Sequence, residues 1–168
     1  MIPVEVETLI MFAPPAPSAL VLAPLGENRT QPGTYRILPI WVAYHDALNL
    51  GHAIERHKSA RPLTHDIFID AITSLDAHIS KVVIDRVEKA LFSATLYLEQ
   101  YGRIIDLDAR PSDAVALALR EDAPIYITKD VFDQASFPYL VNNPTDEEEA
   151  MAAFHEFLEN VAPEDFSL

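Results

Sequence analysis

The chain has 168 residues, no cysteine and a net charge of −14 at pH 7. The length fits one domain that can bury a core, and the lack of cysteine excludes disulfides, thiolate metal sites and cysteine nucleophiles. The acidic charge excludes a broad basic surface for nucleic acid, so a polyanion site must be local or metal-assisted.

Alternating apolar residues predict three strands in the first part of the chain, over 4–12, 19–25 and 35–42. A turn-rich segment at 26–33 connects the second strand to the third. Pro39 lacks the amide donor of a central strand, so it suggests an edge or a bulge. A helix is predicted over 45–56.

The second part of the chain begins with a helix over 64–77, whose apolar residues recur at the helical period, with Thr64 as a candidate N-cap. Three strands follow, and then a helix over 111–120 that is apolar almost all round and should be buried. Pro111 suits the first turn of that helix. The three strands are predicted over 79–87, 92–99 and 103–110, and a last strand is predicted over 124–131.

An acidic tail ends the chain. Residues 141–168 contain eight acidic residues and no lysine or arginine, and a capping box of Thr145 and Glu148 starts a helix there. We therefore divide the chain into a domain at 1–140 and a helical extension at 141–168. No apolar run could span a membrane, and glutamates in place of a basic region argue against a signal peptide. We expect a cytoplasmic protein without a membrane partner.

An internal repeat relates the two parts at a constant offset of 67 residues. Arg36, Ile37, Asp46 and Ala47 in the first part match Arg103, Ile104, Asp113 and Ala114 in the second. Each part also has three predicted strands followed by a helix. The expected fold class is therefore α+β, with mixed or antiparallel sheets, packed helices and a duplicated unit of three strands and one helix.

Two short charged segments stand out from this pattern, and the first lies at the end of the 103–110 strand. Asp106 and Asp108 are two residues apart, so they project from the same strand face about 6.5 Å from each other. Two carboxylates so placed could hold Mg²⁺ or Mn²⁺ and activate water. The alternative is a solvated strand face on which Arg110 pairs with an aspartate.

Asp113 and Ser112 lie in the first turn of the following helix. They could simply cap that helix and complement its dipole. Alternatively, the helix start and Arg110 could form a seat for a phosphate. The carboxylate of Asp113 would repel that phosphate unless a metal ion or Arg110 offset its charge.

The second charged segment contains Arg61, His65 and Asp66, just before and within the 64–77 helix. His65 could transfer a proton near neutral pH, although a histidine in a first helical turn is more often a surface or capping residue. Arg61 could pair with a carboxylate of the other segment. The paired repeat predicts that the two segments lie close together in the fold.

Three sequence motifs resemble the bifunctional nuclease domain family, over about residues 4–137. The motifs are Leu38-Pro39-Ile40-Trp41-Val42, Arg61-Pro62-Leu63-Thr64-His65-Asp66 and the run from Asp108-Ala109-Arg110-Pro111-Ser112-Asp113-Ala114 to Arg120. The resemblance implies a compact α+β fold and nuclease activity on RNA and DNA, as attributed to plant members. One departure lies after Trp41, where the family's Gly-x-x-Glu-Ala is replaced by Ala43-Tyr44-His45-Asp46-Ala47, so the acid is one methylene shorter.

The first functional hypothesis is a nuclease assisted by Mg²⁺ or Mn²⁺ and acting on RNA or single-stranded DNA. Its candidate residues fall into three groups. The catalytic group is His65, Asp66, Asp108 and Asp113; the substrate-binding group is Arg61, Arg110 and Ser112; the metal ligands are Asp106, Asp108 and Asp113. The second hypothesis is a non-enzymatic interaction or regulatory domain in which these charges are structural. Under either hypothesis we expect a homodimer.

Overall fold

The computed structural model describes residues 1–26, 35–57 and 59–138. Within these ranges the chain forms eight strands and four helices, so the predicted α+β class is confirmed. The elements in chain order are β1 (Ile2–Ile10), β2 (Ser18–Pro24), β3 (Arg36–Val42), α1 (Tyr44–Ile54), α2 (Thr64–Ser74), β4 (Ala77–Glu88), β5 (Leu91–Gln100), β6 (Arg103–Ala109), α3 (Pro111–Arg120), β7 (Ile125–Ile127), α4 (Lys129–Ala135) and β8 (Phe137–Pro138).

The strands form one mixed sheet in the order β6-β5-β4-β7-β1-β2-β3-β8. Neighbouring strands are antiparallel except for β4 and β7, which are parallel, with Val82 opposite Ile125. β7 also pairs with β1, so this three-residue strand joins the β1–β3 half of the sheet to the β4–β6 half.

The duplicated unit occurs twice in the sheet: β1, β2, β3 and α1 form the first copy, and β4, β5, β6 and α3 form the second. β3 and β6 are each seven residues long and begin at Arg36 and Arg103, which are 67 residues apart in the sequence. α1 and α3 begin at Tyr44 and Pro111, with the same offset. The match is therefore closest at the third strand and the helix of each copy.

The two equivalent helices pack against each other, and α3 also packs against β4 and β5. α3 is buried along nearly its whole length because apolar side chains cover most of its circumference. Ala114, Val115, Ala116 and Ala118 have no exposed surface. The prediction of a buried helix over 111–120, with Pro111 in its first turn, is confirmed.

Two local predictions are wrong. The predicted strand over 124–131 ends at Ile127, and α4 follows, because the Thr128 hydroxyl accepts a hydrogen bond from the Val131 amide and caps a new helix. At α2 the N-cap is Leu63 and not Thr64. Here the carboxylate of Asp66 accepts the Leu63 amide at 2.8 Å, so an acid inside the helix satisfies the backbone donor at its start.

Pro39 lies opposite Val21 in the β2–β3 pair, while β8 pairs only with Arg36 and Ile37 on the other side of β3. The predicted edge position of Pro39 therefore holds within the described residues. The predicted turn beyond Gly26 and the acidic tail helix lie outside those residues. None of the described helices has the length and apolar character needed to cross a membrane.

Candidate active site

The two charged segments meet where α2 and α3 begin. His65 Nε2 lies 3.3 Å from Asp113 Oδ1. With an ionised carboxylate as the acceptor, the imidazole form that makes this hydrogen bond is the one with its hydrogen on Nε2. The predicted proximity of the two segments is thus confirmed, and His65 and Asp113 are the residues that make the contact.

Arg110 joins the starts of α1 and α3. Its Nε donates to Asp113 Oδ2 at 2.9 Å, and its two terminal nitrogens donate to Asp46, at 3.1 Å to Oδ2 and 3.2 Å to Oδ1. The hydrogen bond and charge of Asp113, together with Asp46, raise the pKa of the Arg110 guanidinium despite partial burial. One cation therefore serves the equivalent first-turn aspartates of both repeat copies.

The residues preceding the two helices have nearly the same backbone conformation. Ala43 has φ −64° and ψ 154°, and Arg110 has φ −70° and ψ 144°. Both are N-caps whose side chains make no capping hydrogen bond. Only the second copy has an arginine at this position. The two copies therefore have similar backbones, but one of them alone supplies the cation of the ion network.

His65 is buried, with 8% of its surface exposed, whereas 35% of the Asp113 side chain is accessible. The His65 Nδ1 atom is buried, and the described residues provide no hydrogen-bond partner for it. A ligand arriving from solvent would therefore reach the Asp113 carboxylate before the imidazole. His65 therefore contacts Asp113 from the buried side and is shielded from solvent.

Asp66 faces a different part of α3. It accepts the Leu63 amide at 2.8 Å and Arg120 Nε at 3.0 Å, and Arg120 also donates to the Ala116 carbonyl. The backbone hydrogen bond from Leu63 is the largest influence that lowers the pKa of the Asp66 carboxyl, and Arg120 lowers it further against the effect of burial. These contacts tie the start of α2 to the end of α3.

The remaining candidates lie in different surroundings. Ser112 is buried in the first turn of α3, and Arg61 is exposed in the segment that precedes α2. Asp106 and Asp108 lie on β6, whose one strand neighbour in the described sheet is β5, and both side chains are exposed. Within residues 1–26, 35–57 and 59–138, no three carboxylate or imidazole groups lie close enough to hold a metal ion. The metal assignment to Asp106, Asp108 and Asp113 stays a prediction.

A cavity of about 120 Å³ opens beside Arg110. The end of β3, the start of β5 and the start of α3 form it, so both repeat copies contribute walls. Apolar side chains line most of the cavity, among them Trp41, Leu91 and Phe92, and Asp46, Arg110 and Ser112 add polar groups. β3 and β5 are each the last strand but one at opposite ends of the sheet, and residues of both strands line this cavity.

Asp46 was not among the predicted site residues, although the 67-residue repeat already made it the counterpart of Asp113. Arg120 was also missed, since nothing in its sequence neighbourhood points to Asp66. The signal that could have found Asp46 is the repeat itself, because equivalent positions on packed helices lie near each other.

Comparison with known proteins agrees with this architecture. The family model described as the bifunctional nuclease domain matches residues 29–139. A Mycobacterium tuberculosis protein described as uncharacterized is 37% identical over 138 residues, covering 78% of this chain and 81% of that protein. "Bifunctional nuclease 2" of Arabidopsis thaliana is 33% identical over 116 residues, covering 67% of this chain and 33% of that protein. The fold, the two charged segments and the family match together show that the chain belongs to the bifunctional nuclease domain family.

Proposed function

We propose that this protein is a nuclease that hydrolyses phosphodiester bonds of RNA or single-stranded DNA at the junction of α1 and α3. The observation that carries the proposal is the guanidinium of Arg110, which is held by Asp46 and Asp113 beside an open cavity. A fixed cation and an accessible carboxylate within one hydrogen-bond network are the two groups that phosphodiester hydrolysis needs.

Asp113 is the proposed base that orients and deprotonates the attacking water, because its carboxylate is accessible and is held in one orientation by His65 and Arg110, while each oxygen keeps a second lone pair for water. Arg110 is proposed to stabilise the negative charge that develops on the phosphoryl oxygens. Asp46 keeps the guanidinium in place through two parallel hydrogen bonds.

His65 is proposed as a positioning residue, since its burial separates it from solvent. Its Nε2 hydrogen bond fixes one oxygen of Asp113 and leaves the other to Arg110. Arg61 and Ser112 remain proposed substrate contacts: Arg61 is exposed just before α2, and Ser112 lies in the cavity wall. Asp66 keeps a proposed role only through its hold on α3, by way of Arg120.

The charge of this cluster sets a condition on substrate binding. One guanidinium and two carboxylates sum to a net charge of −1, which repels a phosphodiester. Either the Arg110–Asp46 contact opens on binding, or a divalent cation offsets the charge. The Asp113 carboxylate is a poor ligand for a resident metal ion, because His65 and Arg110 already donate hydrogen bonds to its two oxygens. Mg²⁺ or Mn²⁺ held by Asp106 and Asp108 remains a proposal to be tested.

A second candidate function is a non-enzymatic interaction or regulatory domain. The observation that favours it is the closure of the ion network, in which each nitrogen of Arg110 already has a carboxylate partner. The net charge of −14 also weakens attraction to nucleic acid. In this case the network would stabilise the α1–α3 contact.

The deciding experiment is cleavage of labelled single-stranded RNA and DNA with Mg²⁺, with Mn²⁺ and with a chelator. The wild type is compared with Asp113→Asn, with Asp108→Asn and with the control Asp122→Asn, which breaks an exposed ion pair with Arg56 at the other end of α1 and α3. Cleavage that is lost in Asp113→Asn and kept in Asp122→Asn supports the nuclease. Loss in Asp108→Asn, together with metal dependence, supports the ion at β6.

Equal cleavage by wild type and Asp113→Asn would contradict this site. No cleavage by a folded wild type under any condition would favour the interaction domain. Circular dichroism of each variant shows whether a lost activity reflects unfolding.

A further inference from the structure

The cavity beside Arg110 has a chemistry that the hydrolysis step does not use. We propose that it binds a single unstacked nucleobase next to the phosphate at Arg110, which makes the protein selective for single-stranded nucleic acid. This inference rests on the proposed nuclease function, since it concerns the same opening between the two repeat copies. Its evidence is the size of the cavity, its aromatic and apolar walls, and the position of the cation.

The size of the cavity suits one ring. Its volume is about 120 Å³, somewhat less than the roughly 150 Å³ of an enclosed apolar cavity that holds one benzene ring, so a single ring fits with its edge in the open mouth. A nucleobase inside a duplex is stacked on both faces, so it could enter only after leaving the helix. Double-stranded substrate would therefore bind through its backbone alone.

The walls suit the faces of a base. Phe92 is half-buried at the start of β5, where it packs on the hydrophobic core and also lines the cavity. Trp41 at the end of β3 and Pro111 at the start of α3 add further apolar surface. Stacking on an aromatic ring does not read the hydrogen-bonding edge of a base, so such a site selects single strands, and its one-ring size favours pyrimidines.

The position of Arg110 suits the phosphate next to that base. Arg110 lines the same cavity and keeps its guanidinium in contact with Asp46, which also lines the cavity. A nucleotide thus finds a cation for its phosphate and an apolar pocket for its base in adjacent places. This combination of a local cation and a stacking surface allows binding by a protein that is acidic overall.

Trp41 gives a direct measurement, because it is the only tryptophan in the chain and lines the cavity. Tryptophan fluorescence is followed while a short single-stranded oligothymidylate, the same sequence as a duplex, or an abasic deoxyribose-phosphate oligomer of equal length is added with chelator present. We expect the single strand to change the fluorescence and to bind at least tenfold more tightly than either control. Equal affinity for the single strand and the abasic oligomer would overturn the proposal.

Variants test the role of the aromatic wall. Phe92→Leu keeps apolar volume and removes the aromatic face, and we expect it to weaken oligothymidylate binding roughly tenfold without changing binding of the abasic oligomer. Phe92→Tyr keeps the ring and should bind like the wild type. The control is Tyr101→Leu at the opposite end of β5, where the ring is exposed and outside the cavity. Undiminished binding by a folded Phe92→Leu variant would contradict the proposal.

The binding and cleavage results separate the two proposals. Cleavage that depends on Asp113, together with fluorescence that does not depend on the base, would overturn the base pocket and leave the nuclease. Base-dependent binding without cleavage under any metal condition would support the pocket and overturn the nuclease.

Discussion

The starts of α1 and α3 have nearly the same N-cap backbone conformation, and the N-cap side chain is the difference that determines the ion network. Both helices follow a seven-residue strand, both begin with an extended N-cap, and both carry an aspartate in the first turn. The N-cap is Ala43 in the first copy and Arg110 in the second, and Arg110 reaches across to the aspartate of the first copy. Duplication supplied two equivalent acids, whereas the single cation between them belongs to one copy only.

The surroundings of the two aspartates differ as well. Asp113 has the buried His65 behind it, because α2 precedes the second copy and packs against α3. Asp46 is the more buried acid, with 14% of its side chain exposed, and both its oxygens bind Arg110. We therefore propose a chemical role for Asp113 and a supporting role for Asp46, and the following experiments test that division.

The largest expected effect is the loss of cleavage in Asp113→Asn. Removing the proposed base should lower kcat/KM by on the order of 100-fold or more, within the range for general base catalysis. Asp46→Asn removes only the hold on Arg110, so its loss should be at least tenfold smaller. Initial rates on labelled RNA measure both variants. Equal losses would contradict the division between the two acids.

Arg110→Ala should lower both activity and stability. It leaves two carboxylates without their shared donor, which we expect to lower the free energy of unfolding by about 1–2 kcal/mol. Urea unfolding measures the change. The matched control is Arg56→Ala, whose exposed pair with Asp122 joins α1 to the turn after α3 and should change stability by less than about 0.5 kcal/mol. If Arg56→Ala lowered the free energy of unfolding as much as Arg110→Ala, the ion pairs at the two ends of the α1–α3 pair would contribute equally to stability.

The missing cation of the first copy can be restored. Since Ala43 is exposed and has nearly the backbone angles of Arg110, Ala43→Arg in the Arg110→Ala background should place a guanidinium near both aspartates. We expect about half of the lost stability to return, by urea unfolding. An Ala43→Lys version should recover less, because lysine lacks the forked donors. No recovery with arginine would show that the two helix starts are not interchangeable.

His65→Gln tests the positioning role. We expect kcat to fall about tenfold with little change in KM, because substrate does not contact His65 directly. A merely structural role would lower stability without separating kcat from KM. An unchanged kcat in a folded variant would remove His65 from the proposal.

The smallest effect concerns acid stability. The pKa of Asp66 lies below its ordinary value of 3.8 in the folded state, so its stabilising contribution is complete above that range and is lost as pH falls through the folded pKa. Asp66→Asn should therefore be less stable than wild type at pH 7, by less than about 1 kcal/mol given its exposure, and the difference should shrink near pH 3.

The sequence predicted the second copy better than the connections between copies. The bounds of α3 and the strand before it follow from strict alternation and a proline at the helix start, which are local signals. The parallel pairing of β7 with β4 depends on contacts between distant parts of the chain. The start of α4 depends on one capping threonine, Thr128, directly after the apolar residues of β7. Such features compete with local patterns and are not visible in them.

The site was predicted in part for the same reason. The concentration of charge in the sequence indicates the segments that contain His65, Arg110 and Asp113, and in the structure these side chains are in contact. The two-residue spacing of Asp106 and Asp108 predicts that both side chains lie on one face of the strand. It does not predict which other element of the protein packs on that face. The structure places them exposed on β6, so spacing alone could not connect them to Asp113.

The position of β7 has a consequence for the order in which the protein can fold during synthesis. β1 pairs with β7 through Ile2 and Ile127, and β7 is also the link to β4. Until Ile127 has left the ribosome, the β1 edge of the first half has no strand partner and the two halves cannot be joined through the sheet. Contacts between such distant residues form slowly. The newly made N-terminal half must therefore wait, with an exposed strand edge, for the last part of the domain to be translated.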